Sequence, residues 1–259
     1  MPAEVLEAFR EAAGQWVPLE QLQAAAGQRI AELTGTESGL VTAGSAAALT
    51  LGTAAILCGY NLRRIEQLPH CDDFPCEIVI AREQRSGYDH AVRAAGARLV
   101  EVGFNEIVSN AGVRRTEAWE YEAAFTQDTA GVFYGYGRDS QPPLEEVIER
   151  AHRHNLPVLV DAAGELPPKH NLKDIAALGA DLVGFSGGKA IRGPQSTGIL
   201  CGRRDLVASA AIQMLDMDDH LQLWDPPHSL IDPDTLDGLP RHGIGRALKV
   251  SKEEILALL

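Results

Sequence analysis

Apolar residues recur at helical spacing over residues 4–13, and Pro18 is placed to open a second helix running to about Leu33, where Gly35 ends it. Beyond that point the rhythm shortens. Brief apolar runs near 40–42, 77–81, 98–102, 131–134, 158–161, 182–185 and 198–201 alternate with longer stretches near 45–58, 88–95, 116–126, 143–154 and 172–178. Short apolar runs separated by helices of this length predict the strands of a mostly parallel sheet, covered on both faces. One connection breaks the pattern. About a dozen residues, Gly187, Gly188, Gly193 and Pro194 among them, link the run ending at Phe185 to the run starting at Gly198. A helical crossover needs at least that many, so the last strand is expected to run antiparallel to its neighbours. The prediction is an α/β fold with a seven-stranded sheet and one antiparallel member.

After about residue 215 the character changes. MLDMDDHLQLWDPPHSLIDPDTLDGLP is rich in Asp and Pro and reads as a long irregular connection. Ser251 and Glu254 then form a capping box at the head of a final helix. Nothing follows to cover the apolar stripe of that helix, which suggests a chain cut short. The expected organisation is N-terminal helices over 1–35, a large domain over 36–215, and a linker with the start of a C-terminal small domain, largely missing, over 216–259.

Composition narrows the function classes. Of 259 residues 45 % are hydrophobic and only 5 % aromatic, while alanine and glycine are plentiful, which suits close packing of helices on a sheet. The formal net charge of −13 repels a phosphate backbone and argues against nucleic acid as a partner. No run of eighteen apolar residues suggests a membrane span, and the acidic amphipathic N-terminus lacks the basic and apolar regions of a signal peptide. A cytoplasmic location is the default expectation. Cys71 and Cys76, with His70, Asp72 and Asp73 beside them, invite a metal reading, but without a CxxC pair a polar surface loop with free thiols is favoured, and no metal is expected.

Three segments carry chemistry. In Leu40-Val-Thr-Ala-Gly44-Ser45-Ala46 a strand turns through glycine into an alanine-rich helix, whose first amides and the Ser45 hydroxyl can cradle a phosphate or simply form a capped turn. In Val158-Leu-Val-Asp161-Ala-Ala163-Gly an aspartate ends a buried strand, at the edge where open α/β sheets bind ligands, or it caps the next helix. In Phe185-Ser186-Gly-Gly-Lys189-Ala-Ile-Arg192 a lysine sits in a glycine-rich loop at the same edge. A nucleotide-binding P-loop is excluded: Gly184 to Gly188 leaves one residue too few, and Ala190 stands where Ser or Thr is required. Read together, an amine, an anion and a phosphate cradle are what pyridoxal 5′-phosphate needs. The lysine forms the Schiff base, the carboxylate keeps the pyridine nitrogen protonated, and helix amides with Ser45 and Ser186 hold the phosphate. A small residue at Ala163 lets the ring lie flat.

TAGSAAALTLGTAA, YDHAVRAAGARLVEVG, VLVDAAGELPP and GFSGGKAIRGPQSTGILCGRRDL resemble the bacterial selenocysteine synthase-related family of pyridoxal-phosphate enzymes. This family holds L-seryl-tRNA(Sec) selenium transferases and ammonia-lyases related to D-glucosaminate-6-phosphate ammonia-lyase. The resemblance covers the whole chain and is most specific around the lysine. It implies the aspartate-aminotransferase-like fold type I, the cofactor on Lys189, Asp161 on the pyridine nitrogen, and phosphate contacts from Gly44, Ser45, Ala46 and Ser186. It also implies a homodimer or higher oligomer. Two departures stand out. Gln84 occupies a place where the family commonly has a histidine that stacks on the cofactor, with Tyr88 and His90 just after it. Most of the family's extra N-terminal segment and C-terminal small domain is absent. The expected activity is lyase or transferase chemistry at Cα and Cβ of an amino substrate, an ammonia-lyase on an amino acid or a phosphorylated amino sugar acid foremost. The alternatives are selenium transfer on seryl-tRNA and a truncated, non-catalytic cofactor binder. Arg192 is the candidate for an anionic substrate group; Arg203 and Arg204 serve that role or begin a surface helix.

Overall fold

A computed structural model describes residues 1–104 and 114–259. Seven strands form one sheet: β1 (Ser38–Thr42), β2 (Glu77–Ala81), β3 (Arg98–Val102), β4 (Thr129–Gly135), β5 (Val158–Asp161), β6 (Leu182–Ser186) and β7 (Gly198–Gly202). Their spatial order is β1-β7-β6-β5-β4-β2-β3. β7 runs antiparallel to both β1 and β6, and the other pairings are parallel. β1 therefore points the same way as β2 to β6, and the carboxyl ends of all six open on one edge.

Alternation along each strand divides the core into two layers. Leu40, Ile78, Ile80, Phe133, Leu159, Leu182 and Leu200 face α3 (Gly44–Cys58) and α9 (Arg204–Met214). Val41, Val79, Val132, Tyr134, Val160, Val183 and Phe185 face the other way, toward α2 (Leu19–Thr34), α6 (Ala118–Ala123), α7 (Leu144–Arg153) and α8 (Asn171–Ala177). Each fully buried aliphatic or aromatic side chain of this kind contributes about 1.5–3 kcal/mol over leaving it in water. Burial on both faces is why these strands read as unbroken apolar runs.

The remaining helices are α1 (Ala3–Ala13), α4 (Leu62–Gln67), α5 (Asp89–Ala94) and α10 (Lys252–Leu258). The capping box at Ser251 forms: the Ser251 hydroxyl accepts from the Glu254 amide at 3.2 Å, and the Glu254 carboxylate accepts from the Ser251 amide at 3.4 Å. The expectation of an uncovered stripe is corrected. α10 packs against α1 and α2, the Lys252 ammonium donates to the Ala12 carbonyl at 2.7 Å, and Ile255, Ala257 and Leu258 are buried. α1 covers α10, a pairing that no local pattern announces. The stretch after residue 215 is irregular as predicted but not loose: Met217, Trp224, Leu230, Ile231 and Leu236 join the core beside α9. Among the described residues no helix is long and apolar enough to cross a membrane.

Candidate active site

At the carboxyl edge, β5 ends in Asp161, paired in register with Gly184 of β6. The Ala163 amide donates to the Asp161 carboxylate at 3.0 Å. Burial raises the Asp161 pKa; the Ala163 hydrogen bond and the charge of Lys189 pull it back. Lys189 stands on the loop after β6. Backbone bonds close that loop, from Gly187 to Thr197 (2.8 Å), from Gly193 to Gly187 (2.9 Å) and from Arg192 to Lys189 (3.0 Å). The loop lies under α10: a Cβ on Gly187 or Gly193 would come within 2.7 and 2.8 Å of the Leu258 methyl. Asp161 and Lys189 both line a cavity of about 300 Å³, together with Gln84, Tyr88, Tyr136 and Ala163.

Gln84 sits in a single 3₁₀ turn that follows β2. Its Oε1 accepts from the Gly135 amide at 3.1 Å and from the buried Tyr121 hydroxyl at 3.4 Å, and its Nε2 donates to the Gln141 carbonyl at 3.2 Å. The side chain thus ties the end of β2 to the end of β4. Tyr88, which is exposed, is the aromatic ring at the outer rim, and His90 is exposed on α5.

The phosphate-loop candidates lie beside this cavity rather than in its lining. Gly198 of β7 packs on the first turn of α3 so closely that a Cβ would lie 2.3 Å from the Gly44 carbonyl carbon and 2.6 Å from the Ser45 nitrogen. Ser186 is the register partner of Gly198, so its backbone adjoins the same turn. Ser45 does not cap α3: the N-cap is Ala43, with no side-chain hydrogen bond, so among the described residues the first amides of α3 have no side-chain partner. Ala46 is exposed in that turn. Arg192 is exposed at φ 67° and, among the described residues, its guanidinium makes no hydrogen bond or ion pair. Arg203 and Arg204 lie at the opposite edge. Arg203 donates to Asp181 at 2.9 Å and to Asp205 at 2.6 Å, and Arg204 donates to the carbonyls of Ser229 and Glu37, each at 3.2 Å. Their role is structural.

These residues fit pyridoxal 5′-phosphate. An amine and a partly buried carboxylate face one slot, and a helix start with uncapped amides and two hydroxyl-bearing serines adjoins it. The Cys71–Cys76 segment lies elsewhere, on a surface cavity it shares with Asp72 and Asp73; burial, and then the neighbouring Cys76, push the Cys71 thiol up to about 11. Among the described residues the one cluster with metal-ligand spacing is Asp216, Asp218 and His242, all exposed.

Among the residues at or near this edge that escaped the sequence reading are Tyr136 and Glu165. Tyr136 follows β4 at the same edge, and its amide donates to the Asp161 carbonyl at 2.9 Å. Glu165 is half-buried in the turn four residues past Asp161, and burial, followed by the Asp161 charge, raises its pKa. The signal for both was position, at the carboxyl end of a strand.

A parallel sheet with this single reversed strand, carrying a lysine and an aspartate at its carboxyl edge, defines fold type I, the architecture of aspartate-aminotransferase-like pyridoxal-phosphate enzymes. Comparison with known proteins agrees. The model of the Aminotransferase class-V family matches residues 107–217. The chain is similar to the 5′-C-glycyluridine monooxygenase-decarboxylase of a Streptomyces species, 34 % identical over 265 residues, 98 % of this chain and 56 % of that protein. It is also similar to the D-glucosaminate-6-phosphate ammonia lyase of Salmonella typhimurium, 26 % identical over 99 % of this chain and 61 % of the relative. A solved structure of a D-glucosaminate-6-phosphate ammonia-lyase superposes over the whole chain with a TM-score of 0.78 and 26 % identity, covering 61 % of that structure. The L-seryl-tRNA(Sec) selenium transferase of Geotalea daltonii is 27 % identical over 70 % of this chain and 38 % of its own length. The resemblance to selenocysteine synthase-related enzymes therefore holds, and it implies pyridoxal 5′-phosphate as the cofactor. The chain spans 56 % and 61 % of the length of the first two relatives.

Proposed function

We propose that this chain forms the cofactor-binding part of a pyridoxal-phosphate enzyme that acts on a 2-amino-3-hydroxy acid or its derivative. The observation that carries the reading is the shared cavity of Lys189 and Asp161. The compounds named for the three relatives have one unit in common. Glucosaminate, a seryl group and a 5′-C-glycyl nucleoside each bear an amine next to a carboxyl carbon and a hydroxyl one carbon further on.

Pyridoxal phosphate, when bound, supplies an electron sink for the carbon that carries the amine. The chain's own residues supply the rest. The Lys189 amine anchors the cofactor and, once free, is placed to take the Cα proton. Asp161 holds a proton at the ring nitrogen. The amides of Gly44 and Ser45 in the first turn of α3, with the Ser45 and Ser186 hydroxyls, hold the phosphate, and Ala46 leaves room for it. Ala163 and Gln84 form walls of the slot, and Arg192, whose guanidinium makes no hydrogen bond or ion pair among the described residues, is available for an anionic substrate group.

Loss of a β-substituent with release of ammonia is the favoured outcome, on a small amino acid or amino sugar acid. The net charge of −13 weighs against a tRNA substrate. The 34 % identical relative supports a second reading, oxidative decarboxylation at the same carbon, which differs by consuming oxygen and releasing carbon dioxide. The test is direct. Wild-type protein with added pyridoxal phosphate is expected to gain a visible absorption band, which borohydride bleaches while fixing the cofactor covalently to the chain, and Lys189→Ala is expected to show neither. A colourless wild-type chain, or an unchanged Lys189→Ala, overturns the reading.

A further inference from the structure

We propose that Tyr88 is the side chain that stacks on the ring of the cofactor, an assignment that rests on the function proposed above. A flat heterocycle in this slot has two faces to cover. Ala163 and Gly164, beside Asp161, are short enough to lie against one of them. Three aromatic side chains line the cavity, and two are committed elsewhere. Phe133 is 2 % exposed and packs in the core layer under α3 and α9, and the Tyr136 ring packs on Tyr134 at 6.4 Å between centroids. The Gln84 amide is spent on Gly135, Tyr121 and Gln141. Tyr88 is 56 % exposed, and among the described residues its side chain has no hydrogen bond, ion pair or ring partner. It is also the one exposed large apolar or aromatic side chain, among the described residues, that lines this cavity.

A lone exposed tyrosine is ordinary on a protein surface. The backbone that carries this one is not loose. Its amide donates to the Ser86 hydroxyl at 3.2 Å, and its carbonyl accepts from the Ala91 amide at 2.9 Å. The Asp89 carboxylate, on a residue 3 % exposed, accepts from the Ser86 amide at 3.3 Å and pairs with Arg85. The ring is thus held at the mouth of the cavity while its side chain stays unpaired. Thr50 of α3 donates its hydroxyl to the Ala91 carbonyl at 3.0 Å, which binds α5 to the helix whose first turn adjoins the phosphate site. Tyr88 and the phosphate cradle are thereby parts of one bonded pair of helices. That favours the cofactor over the substrate as what the ring meets.

The two rings suit each other. With a proton kept on its nitrogen by Asp161, the pyridine ring is electron-poor, and the face of a phenol ring is electron-rich. Offset stacking of this kind adds to the area it buries and is lost when an aliphatic side chain of similar bulk takes the place of the aromatic one. The expected worth is about 10–100-fold in affinity.

Binding of the cofactor itself separates this role from a structural one. Wild type, Tyr88→Phe, Tyr88→Leu and Tyr88→Ala are titrated with pyridoxal phosphate, followed by the visible band and its circular dichroism. Tyr88→Phe is expected to match wild type in both. Tyr88→Leu and Tyr88→Ala are expected to bind about 10–100-fold more weakly and to lose most of the dichroism. Urea midpoints are expected to stay at the wild-type value, because the side chain is exposed. Binding by Tyr88→Leu as tight as by Tyr88→Phe, or by Tyr88→Ala as tight as by wild type, overturns the assignment. A Tyr88→Phe as weak as Tyr88→Ala also overturns it, since the hydroxyl and not the ring then makes the contact. So does a loss of affinity that tracks a fall in the urea midpoint. Absence of the visible band in wild type overturns the underlying function instead.

Discussion

Asp161 and Lys189 show how one edge of a sheet brings two ordinary side chains to one candidate site. Each alone reads as a helix cap or a solvated loop lysine. Strand ends at adjacent register positions bring them to one cavity, where burial raises the pKa of the carboxyl. A raised value means the folded chain holds that proton more tightly than the unfolded chain. The penalty is therefore absent where both forms are protonated, below about pH 4, grows as the pH rises from the unfolded value toward the folded one, and is constant above it. Asp161→Asn removes it. The cofactor-free variant is expected to melt higher than wild type at neutral pH, by about 2–4 °C per kcal/mol relieved, with the gain shrinking toward about pH 4. Thermal melts followed by circular dichroism across that range check this; a gain independent of pH refutes it. The same substitution is expected to weaken catalysis, the usual exchange of stability for function. Gln84 carries a different lesson. The sequence marks it as a departure from a stacking histidine, but only the fold shows its amide spent on Gly135, Tyr121 and Gln141.

At the scale of elements, the decisive contact is between β7 and the start of α3. Gly198 is required there by proximity, since its φ is ordinary but a Cβ has no room. Gly198→Ala must push the first turn of α3 away from the sheet, at a cost of about 1–3 kcal/mol. Pyridoxal phosphate is expected to bind the variant more weakly while pyridoxal, which lacks the phosphate, binds as before. Titration with both ligands, with urea unfolding alongside, measures the two effects; equal loss for both ligands refutes phosphate binding at this turn. Element types were readable because period-2 and period-3.6 patterns are local. The strands at 77–81, 98–102 and 158–161 fall where expected, and the others differ by one or two residues at their ends. The reversed direction of β7 was also readable, because a dozen residues leave little room for a crossover.

For the whole molecule, α10 links the chain's two ends to its chemistry. It lies on α1 and α2, and Leu258 covers the glycines that flank Lys189. Leu258→Ala leaves a cavity over that loop. A loss of about 2–5 kcal/mol is expected, with looser cofactor binding beyond what stability alone explains. Urea midpoints and the half-life of the visible band after dilution test it; destabilisation with an unchanged half-life separates α10 from the site.

Local periodicity, glycine punctuation and strand-end polarity were enough to determine the α/β class, the reversed strand, and Lys189 and Asp161 as the residues of interest. All of these depend on neighbours a few positions apart. The tertiary structure alone decided that Arg203 and Arg204 belong to the far edge, that Glu165 and Tyr136 stand at the near one, and that α1 covers α10. Those outcomes include contacts between residues 22 positions apart, as between Arg203 and Asp181, and 240 apart, as between Lys252 and Ala12, and burial and charge at such contacts are set only once the chain has closed on itself.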